Sequence, residues 1–274
     1  MRRVSDKEPR PLASLRFTPE MLRRPDPGRS GAETTLHHFA IVTYYVDATL
    51  LKRHLHPRFE PVRVAALDGS SRALVSVVTF FDHDFRFTGL PRAVRSFGQT
   101  NYRAYVVDRT TGGYVAWFFG TCVDSITVAI PRYVWRLPWH RARMTFECAY
   151  DDRAQRYAGY RVTTTSSWAP GDVEIWDSGK PATAFTGFAN LESAQVVLTH
   201  PLEGFFFRRD NRLGSYRIWH ERMQTTEGHV SHARYPLLAD LGLVPLGDTR
   251  NIHSVLLQRE IPFTIYLPPI ALPD

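Results

Sequence analysis

The stretch Arg132–Met144 reads RYVWRLPWHRARM and joins two different kinds of local structure. Before it, Gly113–Val123 is a run of aromatic, β-branched and small residues that favours a β-strand. A short helix is predicted around Ala129–Trp135, and it ends before Pro138, which cannot continue a helix. The chain is therefore predicted to pass from a strand, through a short helical segment, to a proline that redirects it.

Outward from this stretch, strand-length apolar runs alternate with turn residues. Two hairpins are predicted at clusters of Asp, Gly, Ser and Thr, at residues 68–70 and 108–113, and a third at Asp151-Asp152. The predicted strands are His38–Val46, Pro61–Leu67, Ala73–Phe81, Asn101–Val107, Tyr114–Val123, Met144–Tyr150, Tyr157–Thr165, Gly204–Phe207, Ser215–Met223 and His253–Leu267. Further short helices are predicted at Ala48–His54, Asn190–Leu198 and Pro236–Leu241, and a loop at Asp82–Arg95.

Many short strands and few short helices predict an α+β, mainly antiparallel β fold, either closed or sandwich-like. The chain has no G-x-G-x-x-G loop and no P-loop, which disfavours nucleotide-binding folds. Its 274 residues are 43% hydrophobic and can bury a sizeable core. Residues 1–35 are rich in Pro, Arg and Gly and are interpreted as an extended or partly disordered arm, and residues 36–274 as a single domain.

The net charge of +7 does not by itself indicate a nucleic-acid partner. The basic residues are scattered singly or in pairs, and no zinc-finger spacing, RNP motif or basic helix is present. The N-terminal residues lack the apolar segment of a secretory signal, and the longest apolar runs are far shorter than a membrane span. Cys122 and Cys148 are too few for a disulfide framework. We therefore expect a cytoplasmic protein that binds neither nucleic acid nor membrane, while homo-oligomer formation stays open.

Three segments, in order along the chain, resemble one branch of the acetoacetate decarboxylase-like superfamily, the branch known only as domain of unknown function 2071. Phe39–Asp47 is similar to the opening strand of the family, and Ser96–Val106 resembles an Asn-x-Arg-x-Tyr-Val strand. Arg132–Met144 resembles a Leu-Pro-Tyr-Tyr-Arg-Ala-Arg-Met signature in which Trp139 and His140 replace the tyrosines. The resemblance extends to Gly204–Phe207, Arg212-Leu213 and His232–Leu237.

The resemblance implies a closed antiparallel β structure around a hydrophobic channel. In the superfamily's decarboxylases a channel lysine forms a Schiff base with the substrate ketone, and Trp139 occupies that position here. The adjacent lysine corresponds to His140, and an acidic channel residue corresponds to Gln99. Neither an indole nor an imidazole forms an imine, so Schiff-base chemistry is not expected. The superfamily's remaining channel Arg and Glu correspond to about Leu36 or His37 and about Val78.

The candidate catalytic residues are His140, Gln99 and Arg103. The His140 imidazole would serve as general acid or base, because its ordinary pKa is close to neutrality. The alternative is a partly exposed histidine bonded to a backbone carbonyl. Arg103 shares one strand face with Asn101 and Tyr105, because side chains alternate every two residues, and Gln99 has the same parity. If that face points inward, Arg103 requires a carboxylate partner or an anionic ligand, and if outward it is solvated.

The candidate substrate-binding residues are Trp139, Asn101, Tyr105 and His38. The Trp139 indole would stack on an unsaturated ligand, or it anchors the core after the proline. His37 and His38 are adjacent in a predicted strand, so at most one of them points inward. Convergence of the catalytic candidates on one cavity would favour an enzyme, whereas a purely apolar cavity would favour a binding protein.

Two functions of different classes therefore stay open. The first is a cofactor-independent enzyme of the lyase, cyclase or isomerase type, which acts by acid–base chemistry on a hydrophobic carbonyl compound. The second is a non-catalytic protein that binds a hydrophobic small molecule. An inward Arg103 would suit an anionic ligand in either case. No cofactor is expected and no metal site is predicted, because the pairs His54/His56 and His229/His232 match no recognised ligand pattern.

Overall fold

The computed structural model describes residues 7–272. Its strands are β1 (Ala32–Val46), β2 (Phe59–Pro61), β3 (Arg63–Ala65), β4 (Ser71–Phe87), β5 (Arg95–Asp108), β6 (Gly113–Val123), β7 (Trp139–Arg141), β8 (Arg143–Asp151), β9 (Arg156–Thr165), β10 (Gly171–Pro181), β11 (Glu203–Phe207), β12 (Leu213–His220), β13 (Thr226–Arg234) and β14 (Ile252–Ala271). Its α-helices are α1 (Pro19–Leu22), α2 (Ala48–Lys52), α3 (Ala129–Tyr133), α4 (Leu191–Leu198) and α5 (Pro236–Asp240). Short 3-10 turns lie at Leu12–Ser14 and Ile126–Val128.

The strands form one sheet in which seven of them close a ring. β1, β4, β5, β6, β11, β12 and β14 pair in this order, and β14 also pairs with β1. On its other edge β14 also pairs with β13, and the sheet continues from there through β10 and β9 to β8. The paired strands are antiparallel except where β6 meets β11 and β7. The prediction of a mainly antiparallel β fold with a few short helices is confirmed.

The strands of the ring carry apolar side chains on both faces, and each face belongs to a separate core. On β4, Leu74 and Val78 point into the ring, where they join apolar residues of α4. Val75 and Val77 point the other way, toward the layer formed by β8, β9, β10 and β13. This alternation explains why β4 is almost continuously apolar, since a strand buried on both faces has no solvent side.

A β-bulge in β1 sets which side chains reach the ring interior. His38 has a positive φ of 51°, and the register of β1 against β4 shifts between His37 and Ala40. Because the extra residue breaks the two-residue alternation, Leu36 and Phe39 both line the interior although they are three positions apart. A simple alternation along β1 therefore does not predict which side chains face inward.

Several predicted elements are confirmed and some are wrong. The hairpin turns at residues 68–70, 108–113 and 151–152 each separate paired antiparallel strands. The loop predicted at Asp82–Arg95 is too long, because β4 continues to Phe87 and β5 begins at Arg95, so that only residues 88–94 connect the two strands. The acidic and histidine side chains of residues 82–84 are typical of a loop, but here they lie in the last part of β4, at the edge of the core. β10 and β13 were not predicted, because their polar residues conceal the alternation.

The N-terminal arm is held against α4 by specific contacts. Leu15 is 4% exposed, and the backbone N–H of Phe17 donates to Glu192 Oε1 at 2.9 Å. The Phe17 ring also lies edge-on to His200, with ring centroids 5.1 Å apart. No helix between residues 7 and 272 is long and apolar enough to cross a membrane.

Candidate functional site

The ring encloses a small cavity of about 60 Å³. Most of its wall is apolar, and it is built from β1, β4, β5, β6, β7, β11, β12 and β14 together with the segment after α4. Four positions to which the resemblance assigns functional residues lie on this wall, namely Leu36, Val78, Gln99 and Trp139. Its polar and titratable residues are Asp82, Gln99, Asn101, Arg103, Thr199, Tyr216 and His220.

Three of these polar residues form a row along β5. Gln99, Asn101 and Arg103 all face the cavity, because they are spaced by two residues in one strand. Gln99 Nε2 donates to Asn101 Oδ1 at 3.0 Å, and the Thr121 hydroxyl donates to the same oxygen at 2.7 Å. Both bonds use the amide oxygen of Asn101, so its amide nitrogen is left to donate a hydrogen bond to a ligand.

Arg103 lies at the α4 end of this row and is 8% exposed. Its Nη2 donates to the backbone oxygen of Leu198 at 2.9 Å and lies 3.4 Å from the Tyr105 hydroxyl. Its Nε has no hydrogen-bond partner within residues 7–272, and no carboxylate in this part of the chain forms an ion pair with it. A buried guanidinium with only neutral partners is stabilised by an anionic ligand.

Asp82 is the buried carboxyl group of the cavity. It is 2% exposed, and its Oδ2 finds no hydrogen-bond partner among the residues that the structure describes. Burial raises the pKa of Asp82 to about 7, and a hydrogen bond from the Thr34 side chain partly opposes that rise. A carboxyl that titrates near neutral pH inside a cavity is suited to proton transfer.

The sequence interpretation missed Asp82 and His220, although a signal for each was present. Asp82 continues the inward positions Val78 and Phe80 of β4, but the strand was predicted to end at Phe81. His220 follows Tyr216 and Ile218 at two-residue spacing in a strand that was predicted. Extending each alternation by one step would have found both residues.

His220 stands across the ring as a neutral imidazole. It is 1% exposed, and its Nδ1 lies 2.6 Å from the backbone oxygen of Glu221, which fixes Nδ1 as the protonated nitrogen. Burial lowers the pKa of His220 to about 3, with a smaller contribution from His200. His220 is therefore uncharged at neutral pH and leaves the positive charge at this end of the cavity to Arg103.

Trp139 and His140 lie on opposite sides of the short strand β7. Trp139 is half-buried and lines the cavity. The His140 ring stacks on Trp168, with centroids 4.0 Å apart and an angle of 7° between the planes, and its Nδ1 lies 3.3 Å from Arg132 Nη1. Burial, and then the charges of Arg132 and Arg209, lower the pKa of His140 to about 4. His140 is thus not brought to the cavity that Gln99 and Arg103 line.

The two remaining candidates also lie outside the cavity wall. Tyr105 is 1% exposed, and its hydroxyl donates to the backbone oxygen of Leu198 at 3.1 Å, so it supports the segment that Arg103 binds. His38 turns toward the outer core, where its Nδ1 lies 3.3 Å from the Tyr157 hydroxyl. The bulge in β1 explains this orientation, since it directs Phe39 inward instead.

The three lysines of the chain lie away from the cavity. Lys7 in the arm and Lys180 in β10 are exposed, and Lys52 Nζ donates to Glu60 Oε1 and to the backbone oxygen of Phe59. The residues from 7 to 272 also contain no cluster of three or more His, Cys, Asp or Glu side chains that could hold a metal ion.

The fold is shared with several solved structures. Acetoacetate decarboxylase from Legionella pneumophila subsp. pneumophila str. Philadelphia 1 matches with a TM-score of 0.57 and 15% identity, over 89% of this chain and 87% of that one. An acetoacetate decarboxylase-like enzyme from Sphingomonas wittichii RW1 gives 0.58 and 10%, over 90% and 94%. The enduracididine biosynthesis enzyme MppR, complexed with pyruvate, gives 0.58 and 14%, over 93% of each chain. The chain therefore has the acetoacetate decarboxylase-like fold.

A match to a family model classifies the chain more narrowly than the fold does. The model of the DUF2071 family, described as an uncharacterized conserved protein, matches residues 33–261. This range covers most of the chain, so the protein belongs to the DUF2071 family, as the resemblance predicted. None of the curated proteins compared with the chain matches it.

Proposed function

We propose that this protein is a cofactor-independent enzyme that acts by acid–base chemistry on a carbonyl compound bound inside the ring. The reaction is of the lyase, cyclase or isomerase type and proceeds without a Schiff base. One observation carries the proposal: a buried carboxyl group, Asp82, and a buried guanidinium without a carboxylate partner, Arg103, line the same cavity. Asp82 takes the proton-transfer role that the sequence assigned to His140.

The proposed chemistry begins with the ionised carboxylate of Asp82. Asp82 accepts a proton from a carbon atom next to the ligand's carbonyl group, and the electron pair of that C–H bond moves into the carbonyl. The products are an enolate and a neutral Asp82. The Asn101 amide N–H donates to the enolate oxygen, and Arg103 holds an anionic group of the ligand. Return of the proton to carbon, loss of a neighbouring group or ring closure would complete the reaction.

The known relatives support this choice of ligand. The matching solved structures are those of enzymes, and MppR is described in complex with pyruvate, a small oxo acid. A second MppR structure contains the condensation product of pyruvate and imidazole 4-carboxaldehyde. A carbonyl acid is also the kind of ligand that Asn101 and Arg103 would recognise together in this chain.

Proton exchange tests the proposal without knowledge of the natural substrate. The protein is incubated in D₂O with saturated oxo acids whose carbonyl groups stand at increasing distances from the acid group, because Asp82 pairs with Phe97 and lies well along β4 from the level of Arg103. Proton NMR then measures the loss of C–H signals next to the carbonyl. We expect exchange above the buffer rate for at least one acid, and a decrease of roughly 10²–10⁴-fold for Asp82→Asn. The rate should rise with pH and level off above about 7, because the ionised form of Asp82 is the base.

Two variants control this experiment. Asp240→Asn removes an exposed carboxyl group at the end of α5 and should leave the exchange rate unchanged. His140→Phe keeps a ring that can stack on Trp168 and should also retain exchange. Loss of exchange in His140→Phe but not in Asp82→Asn would return the proton-transfer role to His140. Acids that bind without any exchange would identify the protein as the non-catalytic binder, which the largely apolar wall also suits.

A further inference from the structure

A second cavity begins where the cavity inside the ring ends. Its volume is about 250 Å³, and it shares Trp139, Ile265 and Leu267 with the first. We call it the vestibule, and its wall is formed by Phe85, Phe87, Leu90, Ala93, Arg95, Phe97, Val123, Thr127, Val128, Ile130, Pro131, Trp135, Trp139, Ile265 and Leu267. The inner cavity is called the chamber below.

The vestibule wall is more apolar than that of the chamber. Arg95 and Thr127 are its only charged or hydroxyl-bearing members in the described chain. Leu90 and Ile130 are 63% and 57% exposed, although both are large apolar side chains. Exposed apolar surface grouped around a concavity is typical of a site that an apolar ligand covers.

Trp139 forms part of the boundary between the two spaces. Its indole packs against the apolar cluster that contains Phe118 and Leu137 on the chamber side and against the cluster that contains Phe97 and Val128 on the vestibule side. A ligand that passes from one space to the other therefore contacts this ring. An aromatic ring at such a boundary supplies apolar contact in both directions.

The strand β5 connects the two spaces in a fixed order. Its alternate residues Arg103, Asn101 and Gln99 line the chamber, and Phe97 and Arg95 continue the same series into the vestibule. Residues two apart in a strand are roughly 7 Å apart, so Arg103 and Phe97 are separated by roughly 20 Å along β5. A ligand held by Arg103 must extend past Asn101 and Gln99 before it reaches the vestibule.

We propose that the vestibule binds the apolar tail of the substrate, so that the substrate class is a carbonyl-bearing acid with a long aliphatic chain or a terminal aromatic ring. The acid group lies at Arg103, the carbonyl lies in the chamber, and the tail passes Trp139. A chamber of about 60 Å³ has no room for a bulky apolar group, whereas the vestibule has about four times that volume. The position of the acid and carbonyl rests on the function proposed above, but the tail site is tested by binding alone.

The test is calorimetric titration with unbranched saturated carboxylic acids from four to eighteen carbons, each below its micellar concentration, because an extended chain of about eighteen carbons spans the roughly 20 Å from Arg103 to Phe97. These acids carry no ketone or aldehyde group that would make a neighbouring C–H exchangeable, so binding is measured independently of catalysis. Once the chain is long enough to reach the vestibule, we expect each added CH₂ to increase the affinity about fourfold, until the vestibule is filled. Ala93→Phe narrows the vestibule and should abolish this gain for the long acids while leaving the short ones unchanged. Ala154→Phe, in the exposed β8–β9 turn, is the matched control and should behave like the unmodified protein.

Each outcome separates the tail site from the alternatives. Arg103→Gln should weaken all the acids, whereas a larger effect of Arg95→Gln would show that the acid group binds in the vestibule and would overturn the proposal. An affinity that does not depend on chain length, or a gain that persists in Ala93→Phe, would also overturn it. Long acids that bind as expected, together with oxo acids that do not exchange, would contradict catalysis and leave the tail site standing.

Discussion

Burial of the Asp82 carboxyl group links the cavity to the stability of the protein. An aspartate in water has a pKa of 3.8, whereas in the folded chain burial raises the pKa of Asp82 to about 7. Between about pH 4 and pH 7 the folded state therefore retains a proton on Asp82 that the unfolded state has already lost. The contribution of Asp82 to stability is present in full below pH 4 and is lost as the pH rises through about 7.

This linkage predicts a measurable difference between the protein and its Asp82→Asn variant. Between pH 5 and pH 8 the free energy of unfolding of the unmodified protein should fall by roughly 2 to 3 kcal/mol more than that of the variant. The measurement is urea denaturation of both proteins at each pH. His140 and His220 are present in both proteins, so their own titrations cancel in the comparison. Equal changes for the two proteins would mean that Asp82 is ionised in the folded state at pH 5.

At the residue level the sequence predicts which side chains share a strand face, but not whether that face points into the ring. The two-residue period correctly places Gln99, Asn101 and Arg103 on one face, but only the ring pairing of β1 with β14 shows that this face is internal. The assignment of His140 rests on its position beside Trp139 in the resemblance. Adjacent residues in a strand point to opposite sides, so if Trp139 faces the cavity, His140 does not.

At the scale of elements, β7 is held in place from its outer side. Trp168 follows β9 and contacts three elements: it stacks on His140 of β7, lies edge-on to Tyr102 of β5, and approaches Gly120 of β6. A Cβ atom on Gly120 would lie 2.5 Å from Cη2 of the Trp168 ring and 2.9 Å from the backbone oxygen of Pro138. Glycine at this position therefore allows Trp168 to brace the strand that carries Trp139.

We predict that Gly120→Ala destabilises the protein by roughly 1 to 3 kcal/mol, because Trp168 is held between two other rings and cannot move aside. The measurement is the free energy of unfolding in urea. Gly159→Ala, in β9, is the matched control, since no atom of residues 7–272 outside its two chain neighbours lies within 4 Å of its added Cβ. The control should change stability by less than Gly120→Ala does. Equal effects of the two substitutions would contradict the close approach of Trp168 to Gly120 as the cause.

The sequence predicts well those elements whose signals lie within a few neighbouring residues. Asp47 caps α2 by accepting from the backbone N–H groups of Thr49 and Leu50, and the signal for this cap is visible in the sequence. β10 and β13 are different, because their outer faces carry polar and charged side chains, such as Glu174 and His232, and because they pair with each other although they are distant in sequence. These two strands are stabilised by packing against the ring, and no local pattern in their own sequence shows that contact.

At the scale of the whole molecule, the ring joins the two ends of the chain. β1 and β14 pair along residues 32–44 and 252–265, so the first and last long strands are neighbours. The resemblance predicts this closed β structure, whereas composition and periodicity alone leave a sandwich equally open. The reason is physical: closure is a pairing between remote strands, and no local pattern encodes its partner.

This closure predicts that residues 36–274 behave as a single domain under proteolysis. The exposed residues 22–26 and 28–30 contain Arg23, Arg24 and Arg29, and brief digestion with trypsin should cut first after Arg23 and Arg29, because Pro25 blocks cleavage after Arg24. The remainder should persist as one large fragment, because cleavage between the strands of the ring requires their pairing to open. The digest is followed by mass spectrometry. Two stable fragments of similar size would show that the chain divides into separate folding units, since a ring closed by β1 and β14 has no internal boundary at which to part.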